Sequence, residues 1–560
     1  MMAKNKFLII LAAASLLSLA SCGSVAGDNS AAASSAAASS TATGSSSIPS
    51  SSSLTPSTSS EVTSASTSDG DFAYTLNEEG TAYAITGYTG QGGSVQIPAS
   101  HEGKPVTSLS DWLFLTDEGN TTLAEVAIPK SITQLGEGCF CDCQKLAKVT
   151  FDPEIALEKI PASCFALDPL LTDITIPASV KSIGDSVSPT STVHVSFGAF
   201  SESGLRSVHF AENSSLEYIG PLAFCCEHLT SISLPASVKK IDFYGFIYSG
   251  LTSVTFAPDS QLNEIGFQAF DGTKITSFTI PSKVTAIGLS FIPENTVTTL
   301  VNESPNFNLL GSGRYLTDSG GALLFVVRGQ DTVFAFPEGI KSIGSGAGNW
   351  PFLPSKTTSV SFPSSLVSIE EAAFEKLSSL SHADFSLAKS LTTIGKSAFC
   401  GTAITSLDLS SVSAALKIDD YAFYLCSALA SAELPASLTS LGNAVFYDCK
   451  ALASISLPAS LTGSIGYRAF ENCSSLTQIV IPAGVSSIGS QAFENCSALA
   501  SVELPASLTS LGDYVFDDCQ ALATLTYDGT MADWAKVTLG HYWRSVSLKV
   551  VACKDGDVTL

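Results

Sequence analysis

Residues 452–475, L-A-S-I-S-L-P-A-S-L-T-G-S-I-G-Y-R-A-F-E-N-C-S-S, recur along this chain at a constant spacing. Their proline falls at Pro435, Pro458, Pro482 and Pro505, and their phenylalanine at Phe423, Phe446, Phe470, Phe493 and Phe516, so both landmarks advance by 23 or 24 residues. A module of that length holds too few apolar side chains to close a core of its own. Each copy must cover its neighbour, which restricts the chain to a solenoid of stacked coils.

Within one coil, Leu452, Ile455 and Leu457 make L-x-x-I-x-L, and Ile455 and Leu457 alternate with Ser454 and Ser456 as a strand with one buried face requires. Pro458 ends the strand because it has no N–H to donate, and Gly466 marks a bend. Leu461, Ile465, Ala469, Phe470 and Cys473 complete the interior. The expected fold is a leucine-rich-repeat solenoid, mainly β with short turns and 3-10 or helical segments. It carries one strand ladder of about sixteen coils, a rod about 80 Å long at roughly 4.8 Å per strand.

The first residues are an address. Lys4 and Lys6 precede the apolar run 7–20, which is too short to span a bilayer, and 1–21 is expected to be a signal peptide. Leu19-Ala20-Ser21-Cys22 looks like a bacterial lipobox, which implies cleavage before Cys22 and lipid attachment there; the alternative is an ordinary secretory signal with an incidental cysteine. Residues 22–70 are expected to be a disordered tether, almost only Ser, Ala and Thr from Ser30 to Ser68, which lacks the apolar content to repay ordering. As a flexible tether of about 48 residues they hold the body roughly 40 Å (r.m.s.) from the lipid.

The body divides into a capping hairpin (71–96), coils (97–301), a hairpin interruption (302–330), further coils (331–524) and a C-terminal cap (525–560). In the interruption, two apolar runs flank Asp318-Ser319-Gly320-Gly321 and either protrude or replace a coil. A second irregularity, 185–198, lengthens a coil corner into a surface loop.

The reiterated I-x-L-P-A-S-L-T-S-L-G-x-x-x-F-x-x-C, the 71–90 opening, the 306–328 hairpin and the ending T-Y-D-G-T-M-A-D-W-A-K-V resemble the BspA-like leucine-rich-repeat family of bacterial surface proteins over 71–560. The resemblance implies a lipid-anchored protein on the outer face of a bacterial cell. It further implies an adhesin for host matrix protein, glycan or other cells, a monomer, with an extracellular protein or glycan as partner.

The chemistry-bearing residues fit that class better than an enzyme. Of 14 cysteines, Cys143, Cys426, Cys449, Cys473, Cys496 and Cys519 each follow the coil Phe by three residues, so they form a column of small buried thiols, expected to stay reduced. Cys141 and Cys400, one residue after the Phe, are expected at the surface, open to oxidation. No cofactor and no metal site is expected, because the cysteines and six histidines lack zinc-ligand spacing and Asp555-Gly556-Asp557 lacks the rest of a calcium loop. Charged residues are only 14% of the chain and the net charge is −24, so the basic patches that nucleic acid or an anionic membrane face demands are missing.

The expected ligand face is the outward side of the strands, through Ser406, Asp408, Ser431, Glu433, Ser454, Ser456, Gln478, Val480, Ser501 and Glu503. Small side chains in rows let a long partner lie close across many coils. Tyr421, Tyr467 and Tyr514 offer an aromatic column, either exposed or tucked between coils. The rivals are a surface hydrolase with its acids on 185–198 or 302–330, and a passive spacer. Catalysis needs a few convergent groups, whereas a repeating surface supplies near-identical groups in rows.

Overall fold

The computed structural model describes residues 69–116, 119–185, 197–329, 331–344 and 353–560. The signal peptide, Cys22 and all but the last residues of the tether lie outside these residues, as do most of the 185–198 loop and 345–352.

The coils form, and there are more of them than the period predicts. Among the described residues nineteen strands follow one another in the first ladder, nine from Gly93–Gln96 to Thr299–Asn302 and ten from Val333–Ala335 to Val550–Cys553, against the sixteen expected. The difference lies at the ends and at irregular coils, where the Pro-Ala landmark is absent. Pairing is parallel and in register, as in Ser406↔Ser431↔Ser454 and Ser207↔Asp173. A one-residue slip would turn the buried set outward.

A second ladder corrects the expectation of one. Its strands have only two to four residues, such as Lys240–Ile241 and Glu264–Ile265, with Ile241↔Ile265↔Ile287 in register. These isoleucines stand at the coil bend, followed by glycine in Ile265-Gly266 and Ile287-Gly288 and by aspartate in Ile241-Asp242. Gly466 is there for closeness, not for a special φ: a Cβ on it would sit 2.5 Å from the Gly442 carbonyl oxygen, and one on Gly489 would sit 2.7 Å from the Tyr467 nitrogen.

The third side is a ladder of turns. The N–H groups of Tyr421, Phe423 and Leu425 donate to the carbonyls of Asn443, Val445 and Tyr447 one coil on, at 2.8, 3.0 and 2.9 Å. The residues two before and two after the Phe take positive φ, including Tyr421 (60°), Leu425 (60°), Asn472 (63°), Asn495 (60°) and Asp518 (54°). Asn and Asp tolerate this region best, and β-branched residues worst. Among the described residues, none of the 27 non-glycine positions with positive φ is Val, Ile or Thr. Leu425→Val is therefore expected to destabilise the C-terminal coils by about 1–2 kcal/mol, with Leu425→Gly neutral or stabilising, in urea unfolding followed by circular dichroism.

Inside, fully buried phenylalanines stack. Phe114, Phe140, Phe165, Phe200, Phe224, Phe246 and Phe270 form one file, with successive ring centroids 5.0 to 5.5 Å apart. Phe374, Phe399, Phe423, Phe446, Phe470, Phe493 and Phe516 form a second, at 5.0 to 5.6 Å. The antiparallel hairpin of Phe72–Leu76 and Tyr83–Tyr88 closes one end, setting the Tyr88 ring 5.0 Å from Phe114. At the other end Tyr527, Trp534 and Trp543 pack together and Gly556–Thr559 pairs antiparallel with Val550–Cys553.

Between the files stands the 302–330 segment. It replaces a coil, and it has three antiparallel strands, Phe307–Leu310, Tyr315–Asp318 and Leu323–Val326. Alternation gives this small sheet two buried faces. Phe307, Leu316 and Phe325 join the N-terminal core, while Tyr315, Leu323 and Val326 join the C-terminal core. The 302–330 segment is thus a septum.

Candidate ligand-binding face

The ten candidate residues lie together on exposed strand positions. The strands Ser406–Asp408, Ser431–Glu433, Ser454–Ser456, Gln478–Val480 and Ser501–Leu504 each expose their first and third residues and bury the second, Leu407, Ala432, Ile455, Ile479 and Val502. Parallel register converts this into two rows. Ser406, Ser431 and Ser454 align in one, Asp408, Glu433 and Ser456 in the other, and Gln478↔Ser501 and Val480↔Glu503 continue them.

Chemically the face is flat, hydroxyl-rich and mildly acidic. Asp408 is held at the edge, its Oδ1 accepting from the Ser410 N–H (2.9 Å) and Oγ (2.6 Å). Asp384, one coil earlier, accepts from the Ser386 N–H at 2.9 Å, and this bond holds its carboxyl below the ordinary value. Val480 is 55% exposed, an apolar island among hydroxyls and acids.

A set of hydroxyl bonds just ahead of the strands, mostly on coils before Ser406, escaped sequence reasoning. Thr252, Thr298, Thr358, Ser381 and Thr477 each donate Oγ to the carbonyl one coil back, at 3.1 to 3.3 Å. The signal was present, since each precedes the strand of its coil. On the candidate coils Thr477 makes this bond, while Ala430, Ala453 and Ala500 hold the position elsewhere.

The three tyrosines do not form a column. They sit on every second coil, 37 to 41% exposed, but at two positions: Tyr421 and Tyr514 stand two residues before the coil Phe with positive φ, whereas Tyr467 stands three before, and Ala444, Arg468 and Gln491 fill the positive-φ position on the other coils. Each has a different neighbour: Tyr424 for Tyr421, the Arg468 guanidinium at 5.0 Å for Tyr467, and Tyr542 at 5.3 Å for Tyr514.

The turn face carries a charged network that the repeat pattern did not single out. Glu471, its side chain 8% exposed, lies 3.1 Å from Arg468 Nε, which also donates to Gln491 at 3.0 Å; Gln491 Nε2 donates to Glu494 at 2.6 Å. Burial outweighs the arginine and raises the Glu471 carboxyl from 4.5 to about 7. At pH 8 the group is ionised folded and unfolded, and the burial cost is full. As pH falls from 7 to 4.5 only the native state takes up the proton, so stability rises and then levels off. Glu471→Gln is expected to stabilise the C-terminal coils by about 2–3 kcal/mol at pH 8 and by nothing below pH 4.5, in unfolding midpoints across that range.

The six column cysteines are buried free thiols. Cys426, Cys449, Cys473, Cys496 and Cys519 each donate to the carbonyl of the previous coil's phenylalanine, Sγ to O 3.1 to 3.3 Å, so the position rewards a small weak donor. Burial pushes the Cys426 and Cys519 thiols up to about 12. Asp168 takes the same position in its coil, fully buried, Oδ1 accepting from the Cys143 N–H at 2.8 Å, and burial raises its carboxyl well above the ordinary value.

Cys141 corrects an expectation. It is 4% exposed because the turn that carries it is covered, and burial pushes its thiol up to about 12, whereas Cys400 is part-exposed as expected. Among the described residues no group of three or more His, Cys, Asp or Glu is placed to hold a metal. Asp555 is used locally, its Oδ1 accepting from the Met531 N–H at 2.7 Å.

Residues 118–191, 186–296, 332–417 and 416–537 match the family model described as BspA type leucine rich repeat region. No curated protein matches the chain. Among solved structures, a leucine rich cell surface protein from Faecalibacterium prausnitzii is 23% identical, covering 84% of this chain and 97% of that chain with a TM-score of 0.35. A leucine-rich repeat protein from Bacteroides ovatus is 20% identical, over 86% and 98%, TM-score 0.35. The pneumococcal vaccine antigen PcpA is 17% identical, over 86% and 98%, TM-score 0.34.

Proposed function

The chain belongs to the BspA-type leucine-rich-repeat family, and from that premise we propose that it is a surface-held binding protein whose ligand, an extracellular protein or a glycan, lies along the strand face. The observation that carries this reading is the pair of exposed rows from Ser406 to Glu503, small enough in side chain for a long partner to touch several coils at once. Affinity then comes from area spread over many coils. Serines and threonines supply hydrogen bonds, and Asp408, Glu433 and Glu503 select against acidic partners.

The body, capped at both ends, is the reagent for the test. Residues 69–560 are offered to immobilised matrix proteins, glycans and neighbouring bacterial cells, beside a variant with Ser431→Arg, Ser454→Arg and Ser456→Arg. Loss of at least tenfold in affinity with an unchanged unfolding midpoint supports the strand face, and equal binding removes it. Attachment through Cys22 is part of the same reading, supported by the L-A-S-C tetrad. Cys22→Ala is expected to move the protein from the membrane fraction to the medium.

A further inference from the structure

We propose that Cys139 and Cys164 are a disulfide site inside the N-terminal stack, a covalent staple between two successive coils. Their sulfurs lie 3.6 Å apart, the one thiol-to-thiol hydrogen bond recorded among the described residues, and both side chains are fully buried. The proposal is independent of what the strand face binds.

The two cysteines occupy one position in consecutive coils, immediately before Phe140 and Phe165. In most other coils that position holds alanine, as at Ala199, Ala223, Ala269, Ala398, Ala422 and Ala469, and in others Gly245, Ser290, Val445 or Val515, so packing there needs no sulfur. The backbones are already coupled, with the Phe140 N–H donating to the Cys164 carbonyl at 3.1 Å and the Gly138 N–H to the Ala162 carbonyl at 3.1 Å. Adjacent strands stand about 4.8 Å apart, inside the roughly 4.4 to 6.8 Å that Cα atoms of disulfides span. The column thiols differ, because Cys426, Cys449, Cys473, Cys496 and Cys519 spend their S–H on a carbonyl.

The oxidant is a small disulfide such as oxidised glutathione. One cysteine thiolate attacks it and releases one reduced glutathione, leaving a mixed disulfide. The second cysteine displaces the other glutathione, so one Sγ–Sγ bond forms, two S–H bonds break, and both protons and both electrons end on the two glutathione thiols. Burial keeps the folded thiols out of reach of the oxidant, so exchange runs during folding or while the coil is open, and the finished bond is then shielded from reductants.

Lys130, Lys145, Lys159 and Lys181 place the two cysteines in separate tryptic peptides, 131–145 and 160–181. The purified chain is refolded in a mixture of oxidised and reduced glutathione, its free thiols are blocked, and it is digested without reduction. The expected result is a linked pair of these peptides, lighter by two hydrogens than their sum, lost in Cys139→Ala and kept in Cys141→Ser and Cys143→Ser. Alanine is the usual residue of the position, so the first variant keeps the fold. Recovery of both peptides singly with Cys139 and Cys164 blocked, or a link that survives Cys139→Ala, overturns the proposal.

Discussion

Phe470→Ala is expected to lower the stability of the C-terminal coils by about 3–5 kcal/mol. The ring is fully buried and sits between Phe446 at 5.5 Å and Phe493 at 5.2 Å, so truncation removes contacts to two coils at once. Stacked offset rings add about 0.5–1.5 kcal/mol to what burial alone supplies. In a solenoid each coil is stabilised by its neighbours, so the loss spreads along the file. Urea unfolding followed through Trp534 and Trp543, which close this end, measures it. Thr477→Ala removes only an exposed hydroxyl bond of 3.3 Å and is the control. A Phe470→Ala cost no larger than the control's would mean that the file does not hold the coils together.

A matched pair of leucines on the septum gives the second large effect. Leu316 and Leu323 are both fully buried on neighbouring strands, yet Leu316 faces the N-terminal core and Leu323 the C-terminal core. Each change to Ala is expected to cost about 2–5 kcal/mol, on opposite sides. Because this sheet stands between the two cores, unfolding is expected in two transitions, and a single two-state fit fails. Leu316→Ala lowers the transition reported by hydrogen exchange at Ile219 and Ile241, Leu323→Ala the one at Ile369 and Ile394. Equal shifts of both transitions by either variant would show one cooperative body.

Where the module is regular, much of this was legible. The Phe file, the Cys column and the outward set from Ser406 to Glu503 each follow from one spacing, because a stack turns a sequence period directly into a line in space. The second ladder was not legible, since strands such as Lys240–Ile241 are too short for alternation to show. The coil count ran low because coils such as Val550–Cys553, inside the cap, lack the Pro-Ala landmark. Positive φ at Tyr421 and Leu425 is hidden, because neither residue type announces the left-handed region as glycine does. Cys141 was misplaced because proximity to the Phe says nothing about what covers the turn. For the ligand face, the rows were foreseen, but the Thr and Ser bonds between coils depend on distances that no spacing carries.

The sameness of the interior coils bears on how such a gene changes. Phe446, Phe470 and Phe493 meet a phenylalanine above and below, so removing or copying one 23-residue or 24-residue unit brings the same surfaces back into contact. Unequal crossing-over between near-identical stretches of DNA can then lengthen or shorten the protein in whole steps, each intermediate still folded and still closed at both ends. Natural variation in this part of the chain is thereby channelled into reach and contact length, with the architecture left as it is.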